Sequence, residues 1–176
     1  MRIIDFEQLT EEHILDGVWQ LLCKYDHSFI PPLSARENTF QAELTGSLIN
    51  KTEPRQYFEI LKQQAFLVAL DHHEVVGFMS YRPHYQCEDL NDHINTIYVT
   101  TIIVDEAQRG KGITSCFYEK ILALAASQAI PVTTRTWSTN ASHIHILEKF
   151  GFHEVKRIQD GRGPNIDTVY YRKVTE

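Results

Sequence analysis

The chain has 176 residues and a formal net charge of −6, with 43% hydrophobic and 23% charged residues. That length fits one domain with a sizeable core, and the composition is that of an ordinary soluble globular protein. The acidic balance argues against a nucleic-acid partner, whose footprint would be basic, and suits a cationic substrate such as an amine.

In chain order, MRIIDF reads as a short strand. Over residues 11–25, Ile14, Leu15, Val18, Trp19, Leu22 and Tyr25 recur at helical spacing. Pro31-Pro32 ends that region, and Ser34-Ala35-Arg36-Glu37 has the form of a capping box opening a second helix towards Ile49. Pro54 starts a further short helix ending near Gln64. At Ala65 the character changes: AFLVALD and EVVGFMSYRP, separated by a polar turn at His72-His73, predict a hairpin. INTIYVTTIIV is the most β-branched stretch and predicts a central strand. Ile113, Phe117, Ile121, Leu124 and Ala125 restore helical spacing, and PVTTRTW then reads as a strand. A helix over 140–150, the strand FHEVKRI, the loop DGRGPNID and a closing strand TVYYRKV complete the chain. No internal repeat of 20–50 residues interrupts this mixed order.

The most informative unit is the strand TIIV, the turn DEAQRGKG and the helix that begins near Ile113. The first N–H groups of a helix lack intrahelical partners, and the macrodipole favours negative charge there. Gly110 and Gly112 allow positive φ and close approach of a phosphate, while Arg109 and Lys111 add positive charge. GxxxxGK[ST] is absent, so a nucleotide-hydrolysing P-loop is unsupported. Ser115 stands where a dinucleotide GxGxxG needs its third glycine.

The turn resembles the pyrophosphate motif of the GNAT superfamily of acyl-CoA N-acyltransferases, [RQ]-x-x-G-x-[GA]. Arg109 takes the first position, Gly112 the fourth and Thr114 the sixth, where the family has Gly or Ala. Ile102-x-Val104 precedes the turn at the family's distance, and Asn140 stands eleven residues before Gly151-Phe152, similar to the family's N…GF helix. The matches cover residues 65–155. The resemblance implies a mixed α/β fold: a central mixed, mostly antiparallel sheet flanked by helices and splayed between the fourth and fifth strands. It divides a single domain, 1–176, into an N-terminal strand and helices on the acceptor side (1–64), an acetyl-CoA-binding core (65–155) and C-terminal strands (156–176).

Acetyl-CoA is the implied co-substrate, with Ile102, Ile103, Val104, Arg109, Gly110, Lys111, Gly112, Ile113, Thr114 and Asn140 as its binding residues. A strand N–H polarises the thioester carbonyl, and no covalent enzyme intermediate is needed. The family's usual tyrosine position falls on Leu147, and the glutamate base of histone-type members falls on Tyr98. Tyr98 is therefore the catalytic candidate, although a strand tyrosine more often packs. His143 and His145 lie near Leu147 but, two residues apart, on different faces. Tyr170 and Tyr171 alternate, so one at most faces a cleft. Two functions remain open: N-acetylation of a small-molecule or peptide amine by direct attack, or an acyl-CoA-binding module without transfer activity.

Other residues read as structural. Asn140 also suits an N-cap, and Gly151 a helix C′ position. Nine histidines form no HExxH, so no metal is expected. His84, Asp89, Asp92 and His93 predict a solvated loop. Residues 160–167 predict a polar turn, with Arg162 or Asp167 at a substrate rim as the alternative. Cys23, Cys87 and Cys116 form no CxxC pair, and MRIIDFEQLTEEHIL lacks the form of a secretory signal. A cytoplasmic protein follows, without nucleic acid or membrane as partner and compatible with a homodimer.

Overall fold

A computed structural model describes residues 1–39 and 53–175. The elements are β1 (Arg2–Phe6), α1 (Glu12–Tyr25), α2 (Arg55–Leu61), β2 (Ala65–Asp71), β3 (Glu74–Gln86), β4 (Asn95–Val104), α3 (Ile113–Ser127), β5 (Val132–Trp137), α4 (Ala141–Lys149), β6 (His153–Ile158) and β7 (Thr168–Lys173). Seven strands form one sheet in the order β1-β2-β3-β4-β5-β7-β6. Every pairing is antiparallel except β4 with β5. The mixed, mostly antiparallel sheet expected from the resemblance is thus the observed fold.

Alternation along each strand sends successive side chains to opposite faces. In β2, Ala65, Leu67 and Ala69 join a core built with Phe117, Ile121 and Ala125 of α3 and Leu147 of α4. Phe66, Val68 and Leu70 face a second core with Ile14, Val18 and Leu22 of α1 and Tyr57 and Leu61 of α2. Both faces of the sheet are therefore covered, which explains why β2 reads as a continuous apolar run. Helix α1 approaches β3 so closely that a Cβ on Gly17 would lie 2.5 Å from Val75 Cγ2.

Two interruptions of the ladder shape the centre. Ser80 pairs with Thr101 and Tyr81 with Val99, so Thr100 is an extra residue in β4, a β-bulge. On its other side β4 pairs with β5 only from Ile97–Val99 to Val132–Thr134. The last link is the Thr134 hydroxyl, which donates to the Val99 carbonyl at 3.1 Å. Beyond it β4 runs on to Val104 and β5 to Trp137, each held only by its outer neighbour.

The capping-box expectation needs correction. Residues 33–35 form a single 3₁₀ turn and Arg36 is extended. The Ser34 hydroxyl and N–H both donate to the Asp26 carboxylate, at 2.6 and 2.7 Å, instead of capping a helix. The predicted continuation towards Ile49 lies outside the described residues from residue 40 on.

Candidate active site

A cavity of about 760 Å³ occupies the gap between β4 and β5. The carboxyl ends of the two strands form its floor and one wall, and the turn into α3 closes one end. This is the place where an open sheet leaves backbone groups to a ligand.

The turn is built for an anion. Gly110 and Gly112 both have φ of +78°, and a Cβ on either would meet nothing within 4 Å, so the space above them is open. Gly112 is the N-cap of α3 in the left-handed region, which leaves the N–H groups of the first helical turn without a side-chain cap. Ile113, Thr114 and Ser115 line the cavity there. Before the turn, the Asp105 carboxylate accepts from Ala107 N at 3.0 Å and from Lys24 Nζ at 2.8 Å. The Tyr25 hydroxyl accepts from Glu106 N at 2.7 Å. The end of α1 thus braces the turn. The Arg109 guanidinium lies 5.4 Å from the centre of the Tyr25 ring, and Lys111 Nζ donates to Gln108 Oε1 at 2.7 Å on the exposed rim.

The cavity brings together most residues singled out in the sequence. Ile102, Ile103, Val104, Arg109, Gly110, Gly112, Ile113, Thr114 and Asn140 all line it; Lys111 and Tyr98 do not. Asn140 begins α4 but makes no side-chain cap. Its Nδ2 donates to Thr136 Oγ1 at 3.1 Å, which ties α4 to β5 across the cavity wall. Gly151 has φ of +76° at the end of α4, and Phe152 N bonds Leu147 O at 3.0 Å, the C′ geometry expected of it.

Tyr98 is buried on the α1/α2 face of the sheet beside Cys87 and Tyr170. Burial first, with Tyr170 as a neighbour, pushes its pKa well above the ordinary phenol value despite the opposing charge of Arg135. Leu147 is fully buried in the α3/α4 core. His143, one turn earlier, does line the cavity, and its Nε2 is 2.7 Å from the Tyr118 hydroxyl. Burial pushes His143 down to about 4, so its imidazole is neutral at physiological pH. Tyr170 and Tyr171 lie outside the lining: the Tyr170 hydroxyl donates to Asp89, and Tyr171 belongs to the α3-side core.

Other lining residues were not legible as such: Tyr25, Phe29, Thr100, Arg135 and Trp137; of the two histidines weighed on α4, His143 lines the cavity and His145 does not. Phe29 and Trp137 face each other with ring centres 5.9 Å apart. A bulge threonine and a strand arginine carry no local signature of a site. Two loop expectations also change. Asp92 pairs with buried Arg172 at 2.6 Å, so the 87–93 loop is anchored to β7 rather than simply solvated. Arg162 is buried and donates to Ile30 O at 2.8 Å and Thr168 Oγ1 at 3.1 Å, while Asp167 pairs with Arg157 at 2.8 Å; neither lines the cavity. Among the described residues no group of three or more His, Cys, Asp or Glu could hold a metal ion, and no helix is long and apolar enough to cross a membrane.

Comparison with known proteins agrees with this geometry. The profile of the acetyltransferase (GNAT) family matches residues 33–152. No curated protein sequence matches the chain. Among solved structures, smu.2055 from Streptococcus mutans UA159 superposes with a TM-score of 0.69 at 20% identity over 100% of both chains. A ribosomal-protein-alanine N-acetyltransferase from Brucella melitensis gives 0.65 at 19% identity over 99% of each. A putative streptothricin acetyltransferase from Bacillus anthracis str. Ames, in complex with acetyl coenzyme A, gives 0.54 at 18% identity over 64% of this chain and 63% of that one. At these identities the likeness is one of fold.

Proposed function

Since the chain belongs to the acetyltransferase (GNAT) family, we propose that it transfers the acetyl group of acetyl-CoA to a primary amine of a small molecule or peptide by direct attack. The observation that carries this reading is the pair of positive-φ glycines with open space above them, at the head of a 15-residue helix that closes one end of the cavity. The first N–H groups of α3, left without a side-chain cap, are free to receive a pyrophosphate there, and Arg109 and Lys111 add charge from the rim. Acetyl-CoA, when bound, supplies an acyl thioester whose carbonyl carbon the amine nitrogen attacks, with the C–S bond breaking and one proton leaving the nitrogen.

The unpaired side of β4 from Thr100 to Val104 offers backbone N–H and C=O groups into the cavity. These groups are fixed before substrate arrives, and a preorganised N–H near developing negative charge is worth more than one that must reorient. Holding two reactants in one cavity removes translational freedom that would otherwise raise the barrier. Neutral His143 lines the cavity with its Nε2 engaged by the Tyr118 hydroxyl, and a thiol whose pKa is roughly 8.5 departs as thiolate without an acid. Tyr98 supports the wall by packing.

The test is a screen of primary amines with acetyl-CoA, following free thiol release, beside a calorimetric titration with acetyl-CoA. Binding with transfer supports the reading. Binding without transfer to any amine identifies instead an acyl-CoA-binding module, and absence of binding overturns the assignment of the cradle.

A further inference from the structure

Transfer by direct attack leaves one surplus proton on the amine nitrogen, and the cavity lining narrows where it can go. Among the described residues the lining holds no carboxylate and no cysteine; its titratable side chains are Tyr25, Arg109, Arg135 and His143. A guanidinium has no lone pair with which to accept. The Tyr25 hydroxyl oxygen already accepts from Glu106 N at 2.7 Å. His143 is therefore the one described side chain of the lining that offers a basic lone pair.

Its ring is held from behind. His143 stands in the first turn of α4, and its Nε2 lies 2.7 Å from the hydroxyl of Tyr118 in α3. Tyr118 is fully buried and packed against the Phe150 and Phe152 rings, so that hydroxyl has a fixed place. It also faces the Thr134 side chain. The Thr134 hydroxyl gives its only proton to the Val99 carbonyl at 3.1 Å, at the point where β4 and β5 part. With that proton committed, the Thr134 oxygen can receive the proton of Tyr118, and Tyr118 can in turn accept from Nε2–H. The lone pair of the neutral ring then sits on Nδ1.

Nδ1 has no hydrogen-bond partner among the described residues. It is not sealed in the interior either, since the one buried unpartnered side-chain nitrogen or oxygen among them belongs to Arg172. Nδ1 thus opens on the space that the ring lines. Burial, with no charged group contributing, pushes His143 down to about 4, which keeps the ring in the form that can take up a proton. A joint between α3 and α4 accounts for the bond at Nε2. It does not account for a second ring nitrogen left open on the cavity.

We propose that His143 is the catalytic base of the transfer: Nδ1 takes the proton from the amine nitrogen as that nitrogen bonds to the acetyl carbon, and Tyr118 holds the ring in the orientation and tautomer this requires. This rests on the acetyl-transfer reading and adds the residue that moves the proton. The N–C bond forms, the C–S bond breaks with its electron pair going to sulfur, and the proton on Nδ1 then passes to the CoA thiolate. Amide and thiol leave, and the ring is neutral again. The bond from Nε2–H to Tyr118 persists throughout, because both nitrogens of an imidazolium donate. Tyr118 touches neither reactant and is a positioning residue. Leu147 and Tyr98 are buried and outside the cavity, so the task falls to a side chain one turn before Leu147 on the same helix.

The test follows acetylation of a primary amine that the wild-type protein accepts, at saturating acetyl-CoA. His143→Gln should lower kcat about a hundredfold, the lower end of general acid–base catalysis, with calorimetric acetyl-CoA affinity within about twofold of wild type and the acceptor KM little changed. Imidazole added to His143→Ala should restore part of the rate in proportion to its concentration, which a structural role would not produce. Tyr118→Phe should lower kcat about tenfold, the scale of one hydrogen bond. Nitrogen NMR of the wild-type protein labelled in histidine needs no variant to fold: at neutral pH Nε2 of His143 should carry the proton and Nδ1 none. His143→Gln that turns over within about threefold of wild type, or a proton found on Nδ1, would overturn the proposal while leaving acetyl transfer standing. A wild-type protein that binds acetyl-CoA and transfers to no amine would instead remove the reading on which the proposal rests, and the proposal with it.

Discussion

Placing a carboxylate at residue 112 tests the cradle most directly. Gly112 has φ of +78°, and a Cβ there meets no atom within 4 Å, so Gly112→Ala costs only the left-handed backbone, about 1–2 kcal/mol of stability. Gly112→Asp carries the same backbone cost and adds a negative charge at the mouth of α3. At a separation of about 5 Å from a pyrophosphate charge, repulsion is about 0.8 kcal/mol in water and about 3 kcal/mol at an effective dielectric of 20. CoA affinity should therefore fall by about 4- to 150-fold in Gly112→Asp and much less in Gly112→Ala. Part of the loss should return at high salt, because the site is open to solvent. Calorimetric titration of both variants with CoA, each first shown to be folded by its thermal melt, measures this. A folded Gly112→Asp protein that binds CoA within about twofold of wild type would refute the anion cradle.

Three further outcomes follow from the packing and titration of particular groups. Tyr98→Phe should alter the transfer rate only a few-fold, since the ring is 1% exposed and outside the cavity; a loss of about a hundredfold, the scale of general acid–base catalysis, would make it a proton carrier after all. His143 is pushed down to about 4, so the unfolded chain takes up its proton first as pH falls through about 6.5. Its contribution is complete above that value and is lost down to pH 4; because the ring is only partly buried by area, about 1–2 kcal/mol is expected, absent from His143→Gln in denaturant titrations across this range. Gly17→Ala places a Cβ 2.6 Å from Val75 Cβ, so the helix must move; overpacking outweighs the gain in helix propensity and should cost about 1–2 kcal/mol in chemical denaturation.

Periodicity was enough to read the strands and helices that bury a face. In α1 the apolar spacing found Ile14, Leu15, Val18, Leu22 and Tyr25 of the core, while Trp19 stays outside it and Leu21, not singled out, lies within. The phosphate turn was legible because its chemistry is local: glycines, basic residues and a helix start lie within six positions. Ser34 misleads for the same reason. The S-x-x-E pattern is compatible with a cap, but a carboxylate eight residues earlier captures the hydroxyl. Tyr118, Thr134 and His143 come from α3, β5 and α4, and no spacing announces that they meet. His143 and Leu147 share a helix, but which of them opens on the cavity depends on how α4 rolls against α3, seen in the Tyr118 contact and the burial of Leu147.

The parting of β4 from β5 has a consequence for solubility as well as for chemistry. A sheet that stops pairing in mid-strand exposes an open edge, and open edges recruit strands from other molecules. Here the two unpaired half-edges face each other inside the fold, with α3 and α4 on one side and Tyr25 and Phe29 on the other. A passing strand from another chain cannot lie along either one without entering the cavity. The protein thus lets residues 100–104 of β4 and 135–137 of β5 border a gap without offering a sticky edge to its neighbours. Filling that gap with a bulky side chain would block a ligand, whereas widening it by moving α1 or α3 would turn a sheltered cleft into an aggregation surface.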